Sequence, residues 1–331
     1  MSSSKRVAIV GATGYGGAEL VRLLSMHPQA EITLVTSERK AGERLDSECP
    51  WLASDLVLEK FNPDKVEADF VFLAQEAGFA MAHVGRLLQS AKVIDLSADF
   101  RLRNKEVYES TYKRPWCAPG VSVEPVYGLP EAVDRAKIAG ARLVANPGCH
   151  ATNAILGLKP ILKFLDGTPV VDSKSGVSGA GRSRMETDYL FSEMTGNFKA
   201  YALTGHRHIP EIEQEIGTPI RFTPHLIPES RGIYTTIHAP LRAGTSLPDL
   251  QSQYVTSTFV RTVPRIPSTK QVLGSNRVDI HVDLDSHTQF AVISVVSDNL
   301  VKGAAGQAIQ NMNLMAGFPE ALGLPIHGVW P

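Results

Sequence analysis

The residues best equipped for chemistry stand together in Asn146-Pro147-Gly148-Cys149-His150-Ala151-Thr152. A strand-like run at 141–145 precedes them, and an apolar, helix-permissive run at 154–165 follows. A cysteine between a Pro-Gly turn and a helix sits where helix-terminal N–H groups and the helix dipole favour the thiolate. The same N–H groups can receive the oxyanion formed when that thiolate attacks an acyl carbon. The pattern is that of covalent acyl transfer. A buried, inert cysteine is the alternative.

A second stretch, Gly205-His206-Arg207-His208-Ile209-Pro210-Glu211, puts two histidines in a loop entering a helix, because Pro210 suits a first helical turn. Close to a cysteine, either imidazole can take up or deliver a proton at neutral pH and stabilise the thiolate. No third ligand follows at metal-like spacing, so no metal is expected. A structural role for both histidines is the alternative. Arg101 lies in 97–103, after the strand at 92–96, where ligands collect in open α/β sheets. Its guanidinium can bind a phosphate or carboxylate with two parallel hydrogen bonds. Arg182 closes a glycine-rich loop at 174–182 that shapes a pocket for an anionic group or is plain flexible loop.

Elements on either side must position these groups. A short, β-branched run at 6–10 reads as a buried parallel strand. Gly11-Ala12-Thr13-Gly14-Tyr15-Gly16-Gly17 follows, then a helical spacing of leucines and valine over 18–26 and a second strand at 31–36. Strand, glycine turn and helix in that order open a dinucleotide-binding βαβ unit, with the pyrophosphate on the helix N-terminus. Ser37, Arg39 and Lys40 after the second strand favour a 2′-phosphate and hence NADP, while Glu38 dissents. Strands at 69–73 and 92–96 flank a helix at 81–88, and 104–142 reads as a loop-rich run-in with four prolines. Beyond the cysteine, 169–173, 222–228, 234–241, 278–284 and 290–298 read as strands of a second sheet covered on one face. A glycine-rich segment from Asn299 opens a last helix to about 315, its glycines serving a ligand or simple helix packing.

Composition narrows the function classes. A chain of 331 residues has room for two domains, and its net charge of −1 argues against a nucleic-acid partner. No apolar run approaches the ~20 residues needed to cross a bilayer. The start, Met1 to Arg6, runs into a strand without a secretory apolar core. Three widely spaced cysteines (Cys49, Cys117, Cys149) fit neither a disulfide framework nor a cysteine zinc site. A reducing, cytoplasmic compartment is expected.

Five ordered motifs carry a resemblance that spans nearly the whole chain: GATGYGGAEL from Gly11, LSADFRL from Leu96, NPGC from Asn146, GHRHIPEI from Gly205 and NLVKGAAGQA from Asn299. Together they resemble the N-acetyl-γ-glutamyl-phosphate reductases, relatives of aspartate-semialdehyde and glyceraldehyde-3-phosphate dehydrogenases. The resemblance implies an α/β Rossmann-type nucleotide domain (1–147 and 300–331) and an α+β, glyceraldehyde-3-phosphate dehydrogenase-like catalytic and oligomerisation domain (148–299) with a mainly antiparallel sheet. It implies an acyl-phosphate substrate, NADP as cofactor, and a homo-oligomer, dimer or tetramer. Cys149 is then the nucleophile and His208 the acid/base, oriented by Glu211, with His206 as second choice. Gly11, Thr13, Gly14, Tyr15, Gly16, Ser37, Arg39, Ser97, Ser178, Gly179 and Asn299 go to the cofactor. Arg101 is implied for the phosphate, Arg182 for a carboxylate, and Asn146 for the substrate. One departure is His150, where this family commonly has an aromatic residue. The nearest rival is the related reductase of a carrier-protein-linked aminoadipyl or glutamyl phosphate; a nucleotide-binding regulator on the same fold is the rival outside enzymes.

Overall fold

The computed structural model describes residues 4–183, 186–254 and 256–330, so the Met1–Ser3 part of the start lies outside it. The chain divides into two units: 1–147 with 304–324, and 148–303 with 325–331.

In the first unit the apolar run after Lys5 becomes β1 (Lys5–Val10), with Val7 to Val10 fully buried. The other strands are β2 (Ala30–Thr36), β3 (Leu58–Glu59), β4 (Phe70–Leu73), β5 (Lys92–Asp95), β6 (Val126–Tyr127) and β7 (Leu143–Ala145). They form one parallel sheet in the order β3-β2-β1-β4-β5-β7-β6. Reversal of strand order between β1 and β4 is the doubly wound pattern, which leaves a crevice at the carboxyl ends of those two strands. The helix Tyr15–Leu24 starts directly from the glycine turn, three residues earlier than leucine spacing predicts. It buries Leu20, Val21, Leu23 and Leu24. The 104–142 segment is more ordered than its prolines suggest, holding helices Lys105–Tyr112 and Arg135–Gly140 as well as β6. Side-chain caps from Asn104 and Asp134 start those helices, a signal the proline count obscures. The helix Gly306–Ala316 returns to this unit, where Asn313 Oδ1 meets His27 Nε2 at 3.0 Å and Met315 O accepts from Lys92 Nζ at 2.7 Å.

The second unit is built on a mixed sheet of β8 (Val170–Gly176), β9 (Lys199–Ala200), β10 (Arg221–Ile227), β11 (Ile233–Pro240), β12 (Val260–Thr262), β13 (Val278–Asp285) and β14 (Phe290–Ser297). Its order is β12-β13-β14-β11-β8-β10-β9, with parallel pairing only at β12–β13 and β8–β10. Alternating burial along β10 and β11 marks one covered face. The helix Cys149–Leu158 lies on the sheet, and Gly157 permits this: a Cβ there would stand 2.5 Å from Ile237 Cδ1. Residues 325–330, which the sequence groups with the nucleotide domain, pack here through Asn276 N–H to Pro325 O and Val329 N–H to Leu273 O, both 2.8 Å.

Candidate active site

Cys149 is the first residue of its helix, with Gly148 as the extended N-cap. The helix thus begins at the cysteine and not near 154, so the thiol stands on the first turn itself. Its end also comes early, because Pro160 cannot continue the ladder and 159–164 tightens into a 3₁₀ turn. Cys149 is half-buried and, among the described residues, no cysteine forms a disulfide. Gly303 packs directly against it: an added Cβ would stand 2.7 Å from Cys149 Cβ. Sequence reading left the glycines after Asn299 with either a ligand or a packing role. At Gly303 the close neighbour is the cysteine, and the local chain there winds as a π-helix, Val301–Ala305.

The histidine loop belongs to the same unit. Glu211, fully buried in the helix Ile209–Ile216, accepts the Gly148 N–H at 2.8 Å on Oε1. The carboxylate expected to orient His208 holds the start of the cysteine helix. His206 and His208 are buried, with ring centres 4.8 Å apart, and each ring lies 5.6 Å from that of His150. His206 Nδ1 accepts the His208 N–H at 3.2 Å, so its proton resides on Nε2. Burial, then the Arg207 charge, pushes His206 down to about 4. Burial, then His206 and Arg207, pushes His150 down to about 3. Both are neutral at pH 7. Among the described residues no group of three His, Cys, Asp or Glu side chains is placed to hold a metal ion.

Tyr201 escaped the sequence reading. It follows β9, and its N–H donates to Pro224 O at 3.1 Å. Burial comes first, then the Cys149 and Tyr189 charges, in pushing its phenol pKa upward. A lone tyrosine in an irregular stretch gives no spacing signal.

Several polar residues that the sequence points at a ligand also make hydrogen bonds within their own unit. Arg101 donates from Nε to Asn146 O and from Nη2 to Leu96 O, both at 2.8 Å. Asn146 donates to Ala304 O at 3.0 Å and accepts from Asn311 at 3.2 Å. Ser97 donates to Asp95 Oδ2 at 2.8 Å; burial, then Asp99, pushes that carboxyl up to about 7. Asn299 accepts the Gly232 N–H at 2.8 Å and donates to Ser178 Oγ at 2.9 Å. A Cβ on Gly179 would lie 3.1 Å from Ser175 Oγ, so that turn is packed from inside. Arg182 is exposed.

The glycine turn of the first unit fits a nucleotide. Gly11 (φ 92°) closes the turn, and a Cβ there would meet Ala74 O at 2.5 Å. Around Gly14 and Gly16 there is open space: a Cβ on Gly14 would meet only Gly11 O at 3.7 Å, and one on Gly16 nothing within 4 Å. No acidic residue stands in the first turn of the helix from Tyr15, and Gly14 offers no side-chain cap, so its N–H groups suit a pyrophosphate. Thr13 Oγ1 and Ser37 Oγ lie 3.3 Å apart, and Arg39 is exposed beyond them. Lys40 is drawn to Glu48 at 2.7 Å and Glu43 at 3.5 Å, which weakens its claim on a 2′-phosphate.

Residues 6–141 match the semialdehyde dehydrogenase NAD binding domain, and 149–299 match the semialdehyde dehydrogenase dimerisation domain. An N-acetyl-gamma-glutamyl-phosphate reductase of Geotalea daltonii is 48% identical, over 98% of this chain and 99% of that one. The chain belongs to this reductase family. A second member, from Geobacter metallireducens, is also 48% identical, over 96% and 97% of the two chains. Among solved structures, aspartate semialdehyde dehydrogenase II of Vibrio cholerae, complexed with ASA, shares the fold at a TM-score of 0.72 and 19% identity, covering 96% of this chain and 99% of that one. The Candida albicans aspartate semialdehyde dehydrogenase with NADP does so at 0.66 and 18%, covering 95% and 99%. Family membership accounts for the expected pairing of a parallel nucleotide sheet with a largely antiparallel second sheet. No helix of the described residues is long and apolar enough to cross a membrane.

Proposed function

We propose that the protein reduces N-acetyl-L-glutamyl 5-phosphate to N-acetyl-L-glutamate 5-semialdehyde and phosphate, with NADPH, in arginine biosynthesis. The observation that carries this reading is Cys149 as the first residue of a helix whose N-cap is held by Glu211, in one unit with the paired imidazoles of His206 and His208. The Cys149 sulfur attacks the acyl carbon, the carbon–oxygen bond to phosphate breaks, and a thioester forms. Backbone N–H groups of the first helical turn hold the developing oxyanion, a contribution of about 3–4 kcal/mol per donor elsewhere. NADPH, when bound on the glycine turn, supplies the hydride that reduces the thioester. His208 gives a proton to the oxygen as the hemithioacetal forms and takes it back as the carbon–sulfur bond breaks, so that the aldehyde leaves and the Cys149 thiolate is regenerated, while His206 donates from Nε2. Splitting the reduction in two avoids a single difficult step.

Arg182 is assigned to a substrate carboxylate, and Ser37 with Arg39 to the 2′-phosphate. Arg101 is assigned to the phosphate, its guanidinium held by Asn146 O and Leu96 O, and Asn146 to the substrate. The protein works as a homo-oligomer through residues 149–299, and in the cytoplasm. The test is phosphate-dependent reduction of NADP by N-acetylglutamate semialdehyde. Cys149→Ala should abolish it and keep nucleotide binding. An active Cys149→Ala protein would refute the thioester.

A further inference from the structure

Three half-buried aromatic rings of the first unit, those of Phe61, Phe79 and His83, stand together and take no part in the chemistry at Cys149. The ring centres are 5.0 Å apart for Phe61 and Phe79, 5.0 Å for Phe61 and His83, and 4.6 Å for Phe79 and His83. Phe79 and His83 are one turn apart on the helix Phe79–Leu87, so both project from the same side of it. Phe61 arrives from the opposite direction, two residues beyond β3. Phe61 and Phe79 rest against the buried core of the unit, yet none of the three rings is buried outright.

Backbone pairing fixes where this group stands. β3 runs parallel to β2 with Thr36 opposite Glu59, and the Ser37 N–H donates to Glu59 O at 3.0 Å. The two strands therefore end at the same level, and Phe61 leaves β3 beside the loop that leaves β2 at Ser37. Gly42 N–H to Leu58 O at 2.7 Å and Leu58 N–H to Glu43 O at 2.9 Å fold the far end of that loop back onto β3. On the other side, the Ala74 N–H donates to Val10 O at 2.9 Å, which ties the connection after β4 to the strand that feeds the glycine turn. Phe79 opens the helix at the end of that connection. The rings thus bridge the β3 and β4 ends at the carboxyl edge of the sheet, where a dinucleotide lies. Burial pushes the His83 pKa down and the Glu38 charge raises it in part, as befits a ring on the same edge as the 37–40 loop.

We propose that Phe61, Phe79 and His83 form the platform on which the adenine of NADP(H) stacks. The covalent structure of the cofactor supports the assignment. Its adenine is joined to the same ribose that carries the 2′-phosphate, so where Ser37 and Arg39 hold that phosphate the base lies one sugar ring away. The glycine turn takes the pyrophosphate on the β1 side, which leaves the base toward β2 and β3. A half-open set of flat rings resting on a core is what a purine face requires, since stacking needs no match to the base edges.

The inference rests on Ser37 and Arg39 as the 2′-phosphate seat, and its test separates the two. Adenosine 2′,5′-bisphosphate carries the adenine, the ribose and the 2′-phosphate but no nicotinamide, and its binding is read by isothermal titration calorimetry without turnover. Phe61→Leu and Phe79→Leu keep apolar bulk against the core and remove a ring. Each should raise Kd about 10-fold, the size of one lost base–ring stack, and leave the salt dependence of binding unchanged. Arg39→Ala should also weaken binding but flatten the salt dependence, because it removes a charge. His83→Leu, on the half-exposed side of its helix, should behave as the phenylalanine variants do, and it carries the test should those fail to fold. Unchanged affinity in the folded ring variants would overturn the platform and leave the 2′-phosphate seat standing. A loss that comes with a flattened salt dependence would belong to the phosphate and overturn the platform as well. Failure of the unaltered protein to bind the bisphosphate would remove seat and platform together.

Discussion

Gly303→Ala tests how tightly the nucleophile is held. The added Cβ would lie 2.7 Å from Cys149 Cβ and 3.4 Å from Cys149 Cα. Both β-carbons are fixed to the backbone, so no rotamer change relieves the contact. Carbon atoms settle at about 3.5–4.0 Å, so one backbone must retreat by about 0.8 Å. Gly303 is itself tied by its N–H to Asp298 O at 2.9 Å. Asp298 is anchored in turn by the N–H groups of Gly274 and Leu300, each at 2.8 Å. The first turn of the cysteine helix is therefore the part that yields.

Two consequences follow with different sizes. Overpacking of this kind costs about 1–3 kcal/mol, and for a chain of this length that lowers Tm by a few degrees. Misplacing a reacting atom by about 1 Å costs on the order of 100-fold in rate. Gly303→Ala should therefore remain folded and bind NADP like the unaltered protein, while kcat for semialdehyde oxidation falls about 10- to 100-fold. Differential scanning calorimetry, nucleotide titration and initial rates separate the three. A variant with unchanged kcat would show that the cysteine tolerates the displacement, and the argument from close packing would fail.

Glu211→Ala removes the acceptor of a buried N–H and should cost about 1–3 kcal/mol in urea unfolding, whereas Glu211→Gln keeps an oxygen for Gly148 and should lose less. Equal losses would show that the charge and not the hydrogen bond matters. Arg39→Ala should raise KM for NADPH about 10-fold and leave KM for NADH nearly unchanged; parallel changes would remove Arg39 from the 2′-phosphate. His150 and His206 have depressed values of about 3 and about 4 against 6.5 in the unfolded chain. Between those limits the unfolded chain binds more protons, so stability rises with pH up to about 6.5 and drains away as pH falls toward 3. The loss should reach a few kcal/mol, and urea midpoints of His150→Phe should fall less steeply between pH 6.5 and 4 than those of the unaltered protein.

How legible the molecule is in its sequence depends on the range of the interaction. The first strand and glycine turn are local: apolar β-branched residues bury a strand, and Gly11 must take a positive φ, so both can be read from adjacent residues. The cysteine's setting is half local. Pro147-Gly148 shows that a helix can start there, but Gly148 receives its carboxylate from Glu211, 63 residues on. The helix start is not legible because the apolar spacing begins only at Ala154, and capping by a distant side chain leaves no pattern in the intervening sequence. The buried contact between Ser173 and Thr235 is harder still, since it arises from strand register: Thr235 pairs with Ser173 across β11 and β8.

The motif residues share a further trait: part of their hydrogen-bonding capacity goes to backbone groups. Arg101, Asn146, Glu211, Asp298 and Asn299 all spend hydrogen-bonding atoms on backbone N–H or C=O groups. Those backbone groups lie in turns and helix starts, where no ladder partner exists and burial without one is costly. A site made from loops that enter helices needs many such tethers, because loop backbone otherwise has no fixed geometry. In this protein the conspicuous polar residues help build the frame that holds Cys149 and the imidazoles beside it.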